Sequence, residues 1–149
     1  MFKPRYFKPA PPLPDGKPAP APLLCTVTRT ARFNEADALR IIWHGHYASY
    51  FEDARVAFAK LYGITYQQLD AEGLKTPVKQ LHVDYHAPLL FDHDYSITAG
   101  LFWNEAARMD MEYVIRDMEG NVKARGYTVQ MFTSPAASLR FANPAFSEQ

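Results

Sequence analysis

Between Leu23 and Phe33 apolar and polar positions alternate, with Cys25, Val27 and Arg29 set against Thr26, Thr28 and Thr30. A period of two with many β-branched residues predicts a strand that buries one face. Asn34-Glu35-Ala36-Asp37 interrupts it with turn chemistry. The period then changes. From about His44 to Tyr62 the apolar residues Tyr47, Tyr50, Phe51, Ala54, Phe58, Leu61 and Tyr62 recur at helical spacing, while Glu52, Asp53, Arg55 and Lys60 lie mostly off that stripe. Gly63 supplies a C-terminal stop, and a short second helix is predicted over Thr65 to Ala71, closing at Gly73.

Four strands follow at Val78 to Tyr85, Tyr95 to Trp103, Met109 to Arg116 and Val122 to Thr133. Ala87-Pro88 predicts a bend after the first of them, and Met118-Glu119-Gly120-Asn121 a hairpin turn between the last two. Short connections imply an antiparallel meander. The βαβ pattern does not repeat, which excludes a doubly wound sheet. The prediction is an α+β layer in which one antiparallel sheet wraps around one long, aromatic-rich helix.

The 149 residues suit a single domain. Residues 1–22 stand apart, because they hold eight of the twelve prolines. Proline fixes φ and removes a backbone donor, so this stretch is neither helix nor inner strand. It is read as a surface arm, accessory to a folded unit over 23–149, with Phe2, Tyr6 and Phe7 available to dock on a partner. Sixteen basic side chains balance sixteen acidic ones. No global field therefore recruits nucleic acid or an anionic membrane, and no apolar run is long enough to span one. Cys25 is the single cysteine, which excludes an internal disulfide framework and suggests a reducing, cytoplasmic setting.

Candidate chemistry concentrates between Arg32 and Arg55. There is no nucleophile elbow, glycine-rich phosphate loop or HExxH. His44 and His46, two residues apart, diverge on a helix, so no metal site is predicted. His82, His86 and His93 read as structural. Asp37 has two readings, a turn former or a carboxylate facing the start of the long helix. Free amides at a helix start suit a developing oxyanion, and a carboxylate beside them can attack a carbonyl or direct water at it.

Arg32-Phe33-Asn34-Glu35-Ala36-Asp37-Ala38-Leu39-Arg40-Ile41-Ile42-Trp43-His44-Gly45-His46-Tyr47 resembles the signature of hotdog-fold acyl-CoA thioesterases of the 4-hydroxybenzoyl-CoA and Tol-Pal-associated types. Asp37, His44 and Tyr47 match it in spacing. Phe51 to Arg55, Val83 to Pro88 and Ala124 to Thr128 resemble further segments, so the likeness runs from about Arg29 to Thr133. It implies a hotdog domain over 23–149. It also implies catalysis by Asp37, as nucleophile or general base, with the His44 backbone N–H polarising a thioester carbonyl and the His44 ring orienting substrate or water.

Arg40, His46 and Tyr47 are the expected substrate-binding positions. Arg40 replaces a common glycine and His46 a common asparagine of the family. The implied substrate is an acyl group on coenzyme A or on a carrier protein's phosphopantetheine, with no other cofactor, and the implied assembly is a homodimer or homotetramer. Two alternatives stay open. One is a hotdog dehydratase or isomerase using His44 or His46 as base with Glu52 or Asp53 as acid. The other is a non-catalytic acyl-binding subunit.

Overall fold

In a computed structural model, the structure describes residues 4–8, 10–102, 104, 106 and 108–133. Phe2 and Trp103 lie outside these. Five strands, β1 (Leu23–Thr30), β2 (Val78–Tyr85), β3 (Asp94–Phe102), β4 (Arg108–Asp117) and β5 (Val122–Met131), form one antiparallel sheet in the order β1-β3-β4-β5-β2. The β3-β4-β5 meander follows from short links. At its last turn Gly120 takes φ +93°, and the Asp117 carboxylate accepts the N–H groups of Glu119 and Asn121. β2 comes from before the meander and lies on its far side, against β5.

Helix α1 (Tyr47–Tyr62) lies across the inner face and α2 (Tyr66–Ala71) follows it. Gly63, at φ +72°, ends α1 by donating to the Ala59 carbonyl. Thr65 caps α2, its hydroxyl accepting from the Gln68 N–H while the Gln68 side chain takes the Thr65 N–H. Tyr47, Tyr50, Phe51, Ala54 and Phe58 are buried on the sheet. Phe51 stacks on Tyr113 of β4, with centroids 4.6 Å apart and planes at 9°. Glycine at 126 makes that contact possible. A Cβ there would lie 2.4 Å from Phe51 Cε2 and 2.3 Å from the His82 carbonyl oxygen. The helix therefore sits where β5 has no side chain.

The structure departs from the predicted elements in three places. The first strand ends at Thr30, and Phe33–Glu35 form a short 3₁₀ turn instead of its last residues. Leu61, at the end of the helical stripe, is 63% exposed. Arg55, expected off the stripe, is buried. Its guanidinium pairs with Glu52, lies over the Tyr66 ring and bonds the Tyr66 hydroxyl. Burial from two sides is invisible to a single helical period.

The outer face of the sheet is also covered. Glu112 on β4 is 1% exposed because the arm lies over it. Tyr6 and Phe7 take φ +49° and +69°, so the Arg5 and Phe7 N–H groups both reach the Glu112 carboxylate, at 2.5 and 2.9 Å. The Tyr6 hydroxyl donates to Asp84 at 2.6 Å, which with burial pushes the phenol up to about 12. Phe7 meets Phe102 edge-on. In this chain Tyr6 and Phe7 dock on their own sheet.

Candidate active site

The segment from Glu35 to Trp43 is a closed loop. Trp43 donates its N–H to the Glu35 carbonyl, Ala36 and Ile42 form an isolated antiparallel bridge, and Asp37 N–H donates to the Ile41 carbonyl, 2.9 Å. The tip turns tightly. Arg40 N–H donates to the Asp37 carbonyl, Leu39 N–H to Asp37 Oδ1 at 2.8 Å, and Arg40 itself takes φ +62°. Both readings of Asp37 therefore apply to different atoms: one carboxylate oxygen shapes the turn. The half-buried side chain also lines a cleft of about 620 Å³ with Phe33, Asn34, Ala36, Arg40 and Phe91.

The helix start begins one turn early, as a 3₁₀ segment over His44–His46. His46 N–H donates to the Trp43 carbonyl at 2.9 Å. The N–H groups of His44 and Gly45 precede that first bond, and such groups have no helical acceptor of their own. Trp43 folds over this start. A Cβ at Gly45 would fall 2.2 Å from the indole Cζ3, so only glycine fits under the ring as placed. The Tyr85 hydroxyl, from the end of β2, donates to the His44 carbonyl at 2.7 Å. Tyr85 also meets Tyr47 edge-on at 4.7 Å.

Tyr47 is 3% exposed, and its hydroxyl accepts the Leu89 N–H at 3.2 Å. Its phenol is raised chiefly by burial, with smaller contributions that include the negative charge of Asp37. Asp37 and Arg40 thus share a cleft, and His44 and Tyr47 meet around Tyr85. His46 points elsewhere. It lines a separate polar groove with Arg29, Arg32 and Asp53, and its ring meets Trp43 edge-on.

Glu52 and Asp53 are taken by arginines: Glu52 pairs with Arg55 at 2.5 Å and Asp53 with Arg29 at 3.1 Å. Tyr85, 41 residues from its partner, carries no spacing signal that marks it as part of the site. Among the described residues no group of three or more His, Cys, Asp or Glu is placed to hold a metal ion. No helix among them is long and apolar enough to cross a membrane. A second cavity, of about 320 Å³, lies at the far end of α1 among Phe58, Ile64, Leu69, Met109 and Met111. Its lining holds no carboxylate, histidine, serine or cysteine, so the candidate chemistry stays with the Asp37 cleft.

This chain belongs to the thioesterase-like superfamily, whose family pattern matches residues 31–144. The five-stranded sheet and single long helix are the hotdog fold of that superfamily. An esterase-like protein of Aquifex aeolicus (strain VF5) is 32% identical over 73 residues, which are 49% of this chain and 57% of that protein. The chain thus aligns with a little over half the length of that curated relative. Hypothetical protein TT1821 of Thermus thermophilus superposes with a TM-score of 0.68 at 27% identity, over 73% of this chain and 84% of that one. The DHNA-CoA thioesterase of Staphylococcus aureus superposes at 0.72 and 23% identity, over 84% and 87%, a likeness of fold.

Proposed function

We propose that this protein is an acyl-thioester hydrolase in which Asp37 acts on a thioester carbonyl held at the His44 helix start. The observation that carries the reading is the half-buried Asp37 carboxylate in a cleft beside Arg40, on a loop that runs straight into the unsatisfied amides of His44 and Gly45. A thioester carbonyl is electrophilic and its thiolate leaves readily, so the main requirement is stabilisation of the oxyanion. In the general-base form, water adds to the carbonyl carbon, its proton passes to Asp37, the C–S bond breaks and the thiolate takes up a proton. In the nucleophilic form Asp37 adds to the carbonyl carbon, the C–S bond breaks and the thiolate leaves and takes up a proton, giving a mixed anhydride that water then cleaves.

His44 N–H receives the developing charge. The exposed His44 ring and the Arg40 guanidinium flank the acyl carrier, which is coenzyme A or phosphopantetheine, and Tyr47 closes the floor. His46 contributes from the neighbouring groove, toward the charged part of the substrate. The signature from Arg32 to Tyr47 favours the 4-hydroxybenzoyl-CoA and Tol-Pal-associated branch. The reading includes a homo-oligomer, a cytoplasmic setting, and a hotdog unit over 23–149 preceded by an accessory arm. Because Glu52 and Asp53 are committed to Arg55 and Arg29, hydrolysis is favoured over the dehydratase alternative.

The test is incubation with aryl-, short- and long-chain acyl-CoAs and acylated carrier protein, following free thiol and product mass. Release of thiol with the free acid supports the reading. Formation of an enoyl product, or tight binding without thiol release, replaces it.

A further inference from the structure

We propose that Glu35 is a positioning residue, whose buried carboxylate sets where the Asp37 loop stands relative to the His44 helix start. The proposal rests on the hydrolase reading above.

Glu35 is 6% exposed and its carboxylate accepts from three donors. Oε1 accepts from the Arg32 N–H at 2.9 Å and from the Tyr50 hydroxyl at 3.2 Å, and Oε2 accepts from Arg29 Nη2 at 2.5 Å. These donors come from three directions: Arg29 from the end of β1, Arg32 from the turn that follows, and Tyr50 from the first turn of α1. Burial acts to raise the Glu35 carboxyl, but the Arg32 amide, Arg29 and Tyr50 outweigh it and hold the group below its ordinary 4.5. A carboxylate so engaged has no role in moving protons at the substrate. It is the peg for everything around it.

The main chain of the same residue closes the loop. Glu35 N–H donates to Arg32, and its carbonyl accepts from Trp43, the residue immediately before His44. Asp37 lies two residues after the peg, and the helix start begins one residue after the other end of the closure. Sheet, loop and helix are therefore tied at one side chain. The Arg29 guanidinium lies 3.7 Å above the Tyr50 ring centroid and also pairs with Asp53. Loss of the Glu35 charge leaves Arg29 with Asp53 and the Tyr50 ring and lets the loop open more often. A misplacement of about 1 Å can cost on the order of 10² in rate.

The experiment compares wild type, Glu35→Gln and Glu35→Asp by amide hydrogen exchange and by steady-state thiol release. The proposal expects Glu35→Gln to lose at least ~10-fold protection at the Asp37, Arg40, Ile42 and Trp43 amides, with no more than ~5-fold lost at β4 amides. It expects kcat to fall ~10–100-fold with KM within ~3-fold, in line with a shifted catalytic group. Glu35→Asp, which keeps the charge on a shorter stem, recovers part of both. Unchanged loop protection, a loss as large throughout β4 and α1 as in the loop, or a loss confined to KM overturns the proposal. If wild type releases no thiol from any acyl thioester the hydrolase reading fails, and the exchange arm alone decides whether Glu35 holds the loop.

Discussion

The Tyr85 hydroxyl donates to the carbonyl oxygen of His44 at 2.7 Å, joining the end of β2 to the start of the central helix. The His44 carbonyl and the Gly45 N–H belong to one planar peptide unit and point in opposite directions. Tyr85 thereby fixes where the Gly45 N–H points. The preceding unit, which carries the His44 N–H, is fixed in the same manner by the bond from His46 N–H to the Trp43 carbonyl. The two amides available to an oxyanion are each held by a bond on the opposite side of their own peptide plane.

Tyr85→Phe removes the first of these anchors without changing the ring packed on Tyr47. Because Tyr85 is 51% exposed, stability falls by no more than about 1 kcal/mol, the scale of one hydrogen bond. The expected cost is to kcat, about 3–10-fold, with KM little changed, as for an interaction that matters more in the transition state. Steady-state kinetics beside a thermal melt separates the two.

Gly126→Ala tests how the helix is seated. The new methyl would meet the His82 carbonyl oxygen, which is backbone, and the Phe51 ring, which is stacked on Tyr113. Neither can withdraw without moving β2 or α1. The expected loss is about 3 kcal/mol, the upper end of overpacking costs, read as a Tm lower by about 10 °C for a chain of this size. A Tm within about 2 °C of wild type would mean that α1 is not seated as described.

Glu35 also predicts a pH dependence of stability. Its folded-state pKa lies below the ordinary 4.5, so its contribution is present above that value and is lost as pH falls through the lowered one. At neutral pH Glu35→Gln lowers the urea-unfolding free energy by about 1 kcal/mol, the scale of one hydrogen bond, since glutamine keeps an oxygen for Arg32 and Tyr50 and Arg29 keeps Asp53. The gap between wild type and variant narrows once pH drops below 4.5. A gap that is constant with pH contradicts an ionised Glu35.

Much of this was legible in the sequence because it depends on local period. The alternation through Thr26, Thr28 and Thr30 and the stripe from Tyr47 to Phe58 matched β1 and α1, and Val78 to Tyr85 matched β2 residue for residue. What was not legible depends on distant partners. Nothing local shows that Glu112, between the buried Met111 and Tyr113, is covered by an arm more than a hundred residues earlier. Arg55 lies off the apolar stripe, and its burial depends on Tyr66, eleven residues on. At the site, Asp37 and Arg40 fell together because one turn carries both. His46 fell into another groove, as its two-residue offset from His44 requires. Tyr85 and the anchoring of Glu35 needed the sheet before they could be seen.

In the proposed mechanism Asp37 performs the chemistry at a thioester carbonyl. Its most direct test is the rate of thiol release by Asp37→Asn beside wild type, on whichever acyl thioester the wild type cleaves best. Asparagine keeps the size of the side chain and an oxygen for the Leu39 N–H, so the turn should persist. The account predicts a fall in kcat of at least ~10², the scale of a positioned base or nucleophile, with an unchanged Tm. Equal rates in the two proteins would contradict it and take Asp37 out of the mechanism.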